Sequence, residues 1–205
     1  MTRFPTLPLT ILSTLLIGLG LSSVAGAQDQ KVAFEVNFAN LGLAEDASPS
    51  EARMTVAGLT LTVSAGSNQL NNASKGKALG VAGNRTGQIN ADETLTLTFD
   101  RDVVLNRMDF NGLKQKDESQ PAESARVSIA ALDLEFTVTH DVVAPDHDKI
   151  QAKAGDRVTF KGKKFRLPAG EPIVLEAAGE ETRFTFQGIT VQTADENSDD
   201  DSEPQ

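Results

Sequence analysis

Four small groups of residues in this chain have types and spacings that could do chemistry. The first lies in GVAGNRTGQINADETLTLTFD, residues 80–100, where Asn90, Asp92 and Glu93 close a polar loop. All three carry hard oxygen donors, the ligand type of calcium, which takes six to eight oxygens. Their spacing is not that of the regular calcium loop, which alternates acidic residues ahead of a glycine and a distant glutamate. Gly83, Asn84, Gly87, Asn90 and Asp92 equally suit left-handed turns, so an ion site and a plain turn both stay open. The second group holds the only two histidines, His140 and His147, the latter between Asp146 and Asp148. Imidazole and carboxylate suit zinc or manganese, while a polar turn after Pro145 uses the same residues. Asp133 and Glu135 form the third group, spaced to share one face of a strand, as a two-carboxylate glycoside hydrolase would need across a cleft. No Gly-x-Ser-x-Gly elbow and no cysteine offers a nucleophile. The fourth is FKGKKFR, residues 160–166, which sets Lys161, Lys163, Lys164 and Arg166 around Phe165. A basic cluster in an acidic chain suits an anionic polymer such as a uronate polysaccharide; a solvated hairpin turn at Gly162 is the other reading.

The elements that must position these groups are strands. Two-residue alternation recurs: Val32, Phe34, Val36 and Phe38; Leu59, Leu61 and Val63; Leu95, Leu97 and Phe99; Leu132, Leu134, Phe136 and Val138. Further strands are expected at 103–110, 125–130, 157–161, 173–176 and 183–192, with polar loops at 39–52, 64–77 and 111–124. The apolar phase shifts across Ala57-Gly58 and again across Gly188, and a bulge at each glycine would restore it. One wet and one buried face, without intervening helices, predicts an all-β, antiparallel β-sandwich. Its topology is expected to be jelly-roll-like, with an immunoglobulin-like sandwich as the alternative. Tryptophan and tyrosine are absent, so a sugar could stack only on phenylalanine. Most of those share the core phase; Phe110 and Phe165 are the two expected at the surface.

The ends and the charge set the address. Arg3, an apolar run over 9–21 and Ala25-Gly26-Ala27 read as a signal peptide, cleaved after Ala27. The chain is then expected to be secreted or periplasmic, with no membrane span in its mature form. No cysteine is present, which excludes disulfides and a lipid-bearing cysteine. The formal net charge of −10 repels phosphate backbones, so no nucleic acid partner is expected. Residues 28–192 are expected to form one domain, followed by a disordered acidic tail over 193–205.

The stretch LGVAGNRTGQINADETLTLTFDRDVVLNRMDFNGL, residues 79–113, resembles secreted β-sandwich domains of environmental bacteria that precede a PEP-CTERM-type sorting anchor. Those similarly read G-x-G-V-x-G, then an acidic residue, E-x-L-x-x-x-F-D and D-V-x-L. The sequence departs from that pattern at its end, which has no Pro-Glu-Pro, apolar span or basic terminus. The resemblance implies an extracytoplasmic, non-catalytic domain with an unassigned ligand, and no binding residue carries over. The leading expectation is a module for extracellular or cell-surface interaction or structure, partnered by an extracellular polysaccharide or a surface protein. The alternatives are a calcium-dependent or basic-patch carbohydrate-binding domain, and a glycoside-acting hydrolase.

Overall fold

The computed structural model describes residues 30–44, 47–73, 78–82, 88–113, 123–140, 142–145, 148–153, 156–180 and 182–194. The expected leader, residues 83–87, Asp146, His147 and the acidic tail beyond 194 lie outside them. In chain order the strands are β1 (Lys31–Glu35), β2 (Glu51–Val56), β3 (Leu59–Ser64), β4 (Gln69–Ala73) and β5 (Ala78–Ala82). Then come β6 (Thr94–Phe99), β7 (Val103–Asn111), β8 (Ala125–Ile129), β9 (Leu134–Val138) and β10 (Val143–Ala144). The last are β11 (Ile150–Lys153), β12 (Arg157–Phe160), β13 (Arg166–Leu167), β14 (Ile173–Ala177) and β15 (Thr185–Thr193). Two antiparallel sheets result. One runs β11-β12-β7-β15-β5-β4, with β1 added on β15 and β13 on β7; the other runs β10-β9-β8-β14-β6-β3-β2. From β5 to β8 the chain changes sheet at every step, as stacked sheets with crossing connections require.

The two sheets pack face to face because alternation gives each an apolar side. Val32, Phe34, Leu61, Leu97, Phe99 and Ile189 are among the buried residues. Phe34 meets Phe99 edge-on at 5.7 Å, and Phe136 meets Phe160 at 6.0 Å. Such pairs add about 0.5–1.5 kcal/mol each beyond the area they bury. Phe110, expected at the surface, is only 1% exposed. It packs edge-on against both Phe184 and Phe186 at 5.8 Å, because the inward phase of β7 reaches it through Met108.

Of the two expected bulges, one is present. The register of β15 against β7 slips between Phe186 and Gly188, and a Cβ on Gly188 would stand 2.3 Å from the Phe34 carbonyl oxygen. Ala57-Gly58 is instead a two-residue hairpin turn, with φ of 51° and 78° and Val56 opposite Leu59. Both central residues are left-handed, the type I′ geometry that matches strand twist. The phase changes there because Met54 and Leu61 lie opposite each other on two strands. The expected loop at 64–77 contains β4, and β5 is buried from Ala78 to Val81 on both faces. Neither strand alternates cleanly, so periodicity does not reveal them. β15 runs to Thr193, and Ala194 donates to the Asp102 carbonyl at 3.2 Å.

Candidate functional site

The basic cluster is the connection between two strands that pair with one neighbour. β12 lies against β7 at 107–109, and β13 against β7 at 103–104. Residues 161–165 bridge the gap in a bend and one 3-10 turn, with the Lys161 N–H donating to the Lys149 carbonyl at 2.8 Å. Phe165, the second ring expected at the surface, is 4% exposed and packs edge-on against Phe160 at 5.2 Å. It shares the inward phase of Leu167, and Lys164 Nζ sits 5.1 Å from its centroid. Arg166 is half-buried and donates from Nε and Nη2 to Asp102 Oδ2 at 3.3 and 3.2 Å, while Asp102 Oδ1 accepts the Ala169 N–H at 2.9 Å. The ring and this ion pair fasten the loop from below and behind. Lys161, Lys163 and Lys164 stand exposed on it, with no carboxylate partner among the described residues. Three ammonium groups on a fixed turn can hold an anion by charge.

The Asn90–Glu93 segment is a closed turn. The Glu93 N–H donates to the Asn90 carbonyl at 3.0 Å. Glu93 Oε2 in return accepts from the Asn90 backbone N–H and from Asn90 Nδ2, both at 2.9 Å. Asn90 Nδ2 also reaches the Gln88 carbonyl at 3.2 Å. Glu93 is 4% exposed, and its Oε1 is buried without a hydrogen bond. The fold therefore brings Asn90 and Glu93 together and leaves Asp92 in solvent. Among the described residues no three His, Cys, Asp or Glu side chains cluster as a metal-binding group.

Asp133 and Glu135 do not share a strand face. Asp133 takes a left-handed conformation (φ 47°) in the turn after residues 130–132, and β9 begins only at Leu134. Both side chains are exposed. Asp148 is exposed as well, while its neighbour His147 lies outside the described residues.

One multiply bonded carboxylate is a residue that the sequence does not single out. Asp156, left-handed at φ 57°, accepts the Gly112 and Leu113 N–H groups on Oδ2 at 3.1 and 3.2 Å. Its Oδ1 takes His140 Nδ1 at 2.8 Å, and its carbonyl accepts the Phe110 N–H at 2.8 Å. Asp156 thus ties the β11–β12 turn to the end of β7 and orients an imidazole at that junction. Nearby, Asp109 bridges Arg107 at 2.8 Å and Arg157 at 2.7 Å, and Glu123 accepts from Arg183 at 3.3 Å. On another side of the molecule a groove of about 420 Å³ separates β1 from β2, lined by Ala33, Glu35, Asn40, Met54, Thr55 and Val56.

No family model matches the chain, and no curated protein or solved structure shows significant similarity to it.

Proposed function

We propose that the chain is a secreted or periplasmic, non-catalytic β-sandwich module that works by contact, in extracellular or cell-surface interaction and assembly. One observation carries this reading: the division between polar groups engaged in the fold and those left facing outward. Asp102, Asp109, Asp156 and Glu93 each bind the chain's own backbone or arginines. Among the groups that face outward are a sheet edge beside the β1–β2 groove and a lysine ridge. Edges and charged ridges recognise partners without turning them over. The leader-like N-terminus supports the address. Fractionation of the native host, followed by detection of the chain, tests the reading. Recovery outside the cytoplasm, bound to the cell surface or to extracellular polymer, is the expected result. A cytoplasmic chain, or an exported one that is monomeric and bound to nothing, refutes it.

A second reading has its own observation. Lys161, Lys163 and Lys164 stand exposed on a turn pinned by Phe165 and Arg166, an arrangement suited to an acidic polysaccharide. Chromatography on immobilised polyuronate, run in calcium and again in chelator, separates the basic-patch form from the calcium-dependent one. Retention that survives Lys163→Ala with Lys164→Ala removes the ridge from consideration. Retention indifferent to chelator and to Asp92→Ala removes Asn90, Asp92 and Glu93.

A further inference from the structure

In an antiparallel pair, residues alternate between those that exchange backbone hydrogen bonds and those whose N–H and C=O point away. The Val36 N–H donates to the Gln187 carbonyl at 2.7 Å, and the Thr193 N–H to the Gln30 carbonyl at 3.1 Å. The register between them runs from Lys31↔Gln192 to Glu35↔Gly188. Even-numbered residues of β1 therefore bond to β15, and Lys31, Ala33 and Glu35 turn their backbone groups outward. Among the described residues β1 has no strand partner except β15. Among the described residues the one side chain bonded to that edge's backbone is Asn40, whose Nδ2 donates to the Glu35 carbonyl at 2.9 Å and leaves that oxygen its second lone pair. Lys31, Ala33 and Glu35 also expose their side chains. An uncovered edge of this kind is a template for one more strand.

The side chains specify which strand. Lys-Val-Ala-Phe-Glu is its own antiparallel complement: a two-fold axis through Ala33 sets Ala33 against the second copy's Ala33. The same axis sets Lys31 against the second copy's Glu35, and does so twice. Every outward-pointing residue then meets another, so all three positions become hydrogen-bonded pairs, and the small Ala33 lets the strands approach at the axis. Opposite charges facing each other across strands attract, and like charges repel. A charge placed to guard an edge would repel its own copy; these two attract it.

The neighbouring edge behaves oppositely. Val56 and Leu59 flank the two-residue turn as a bonded pair, so Glu51, Arg53 and Thr55 point outward on β2. Self-pairing there would set Arg53 against itself.

We propose that β1 is a homodimerisation edge, on which a second copy of this chain adds its own β1 antiparallel and centred on Ala33. The proposal rests on the reading of the chain as a contact and assembly module, and it names the partner. Light scattering behind size exclusion, over a range of concentrations, tests it on the full chain expressed with a C-terminal tag. The wild type is expected to be dimeric. Lys31→Glu and Glu35→Lys each replace two attractive pairs with two repulsive ones, and each alone should weaken the dimer about tenfold or more. Mixing the two variants should restore a dimer, since each then faces its complement, and the doubly reversed chain should dimerise by itself. That restoration also shows that both single variants fold. A wild type monomeric at every concentration overturns the proposal. An oligomer indifferent to both reversals overturns the β1 edge while leaving the assembly reading standing.

Discussion

Asp156 is held at more points than any cation of the lysine ridge, and its contacts are of unequal worth. The Gly112 and Leu113 N–H groups close the end of β7, and Leu113 is fully buried. The His140 side chain is 44% exposed against 14% for Asp156, so water can replace much of what that contact supplies. Hydrogen bonds to a charged group contribute about 1.5–3 kcal/mol, and a buried donor left unmade costs about 1–3 kcal/mol. Asp156→Ala should therefore destabilise by roughly 2–4 kcal/mol, a fall in Tm of about 2–4 °C per kcal/mol for a chain of this size. Asp156→Asn keeps one acceptor and tolerates the left-handed backbone, and should lose about half as much. His140→Ala should lose the least, about 1 kcal/mol or less. Calorimetry on the three variants reads the order directly. If His140→Ala costs as much as Asp156→Ala, the imidazole contact and not the backbone clamp secures this corner.

At the scale of elements, alternation made the paired strands legible and packing made the rest illegible. β1, β3 and β6 declare their inward residues because each has one wet face. β4 and β5 do not: Asn71 and Asn72 interrupt the first, and the second is buried on both sides. Gly188 was readable as a bulge, whereas Ala57-Gly58 gave the same phase shift by joining two strands. Periodicity alone cannot separate those causes, and Ala-Gly is not one of the dipeptides that signal a two-residue hairpin. Asp156 could not be found locally, since its backbone partners lie 44 and 43 residues away. In the sequence Phe165 reads as exposed because its charged neighbours mask the phase it shares with Leu167. That ring now predicts how the ridge fails. Phe165→Ala should cost about 3 kcal/mol or more by opening a cavity against Phe160, and should weaken polyuronate retention with all three lysines intact. Lys163→Ala with Lys164→Ala should weaken retention while shifting stability by no more than about 0.5 kcal/mol per site. Thermal melts and retention volumes on the same two variants separate support from contact. Full retention by Phe165→Ala would show that the ridge needs no anchor.

For the whole molecule, the ridge opposes the field of the chain that carries it. Three exposed lysines attract an acidic polymer within a few ångströms, while a net charge of −10 repels it from all sides. Salt weakens these two effects over different distances. At about 0.01 M the Debye length is about 30 Å, near the size of a domain, so the polymer meets the full negative charge. Between about 0.1 and 0.15 M it shrinks to about 8–10 Å, and the distant carboxylates are screened while the lysines beside the polymer are not. At about 1 M it is about 3 Å, and the ridge is screened too. Retention on polyuronate should therefore rise and then fall with salt, with its maximum near 0.1 M, instead of falling throughout as it does for a basic protein. Lys163→Ala with Lys164→Ala should flatten the maximum, because the distant repulsion then has no local attraction to uncover. Isocratic runs at a series of salt concentrations measure the curve. A retention that only falls with salt would mean that the polymer meets more positive charge than the ridge supplies. No retention at any salt would mean that three lysines do not outweigh the acidic surface.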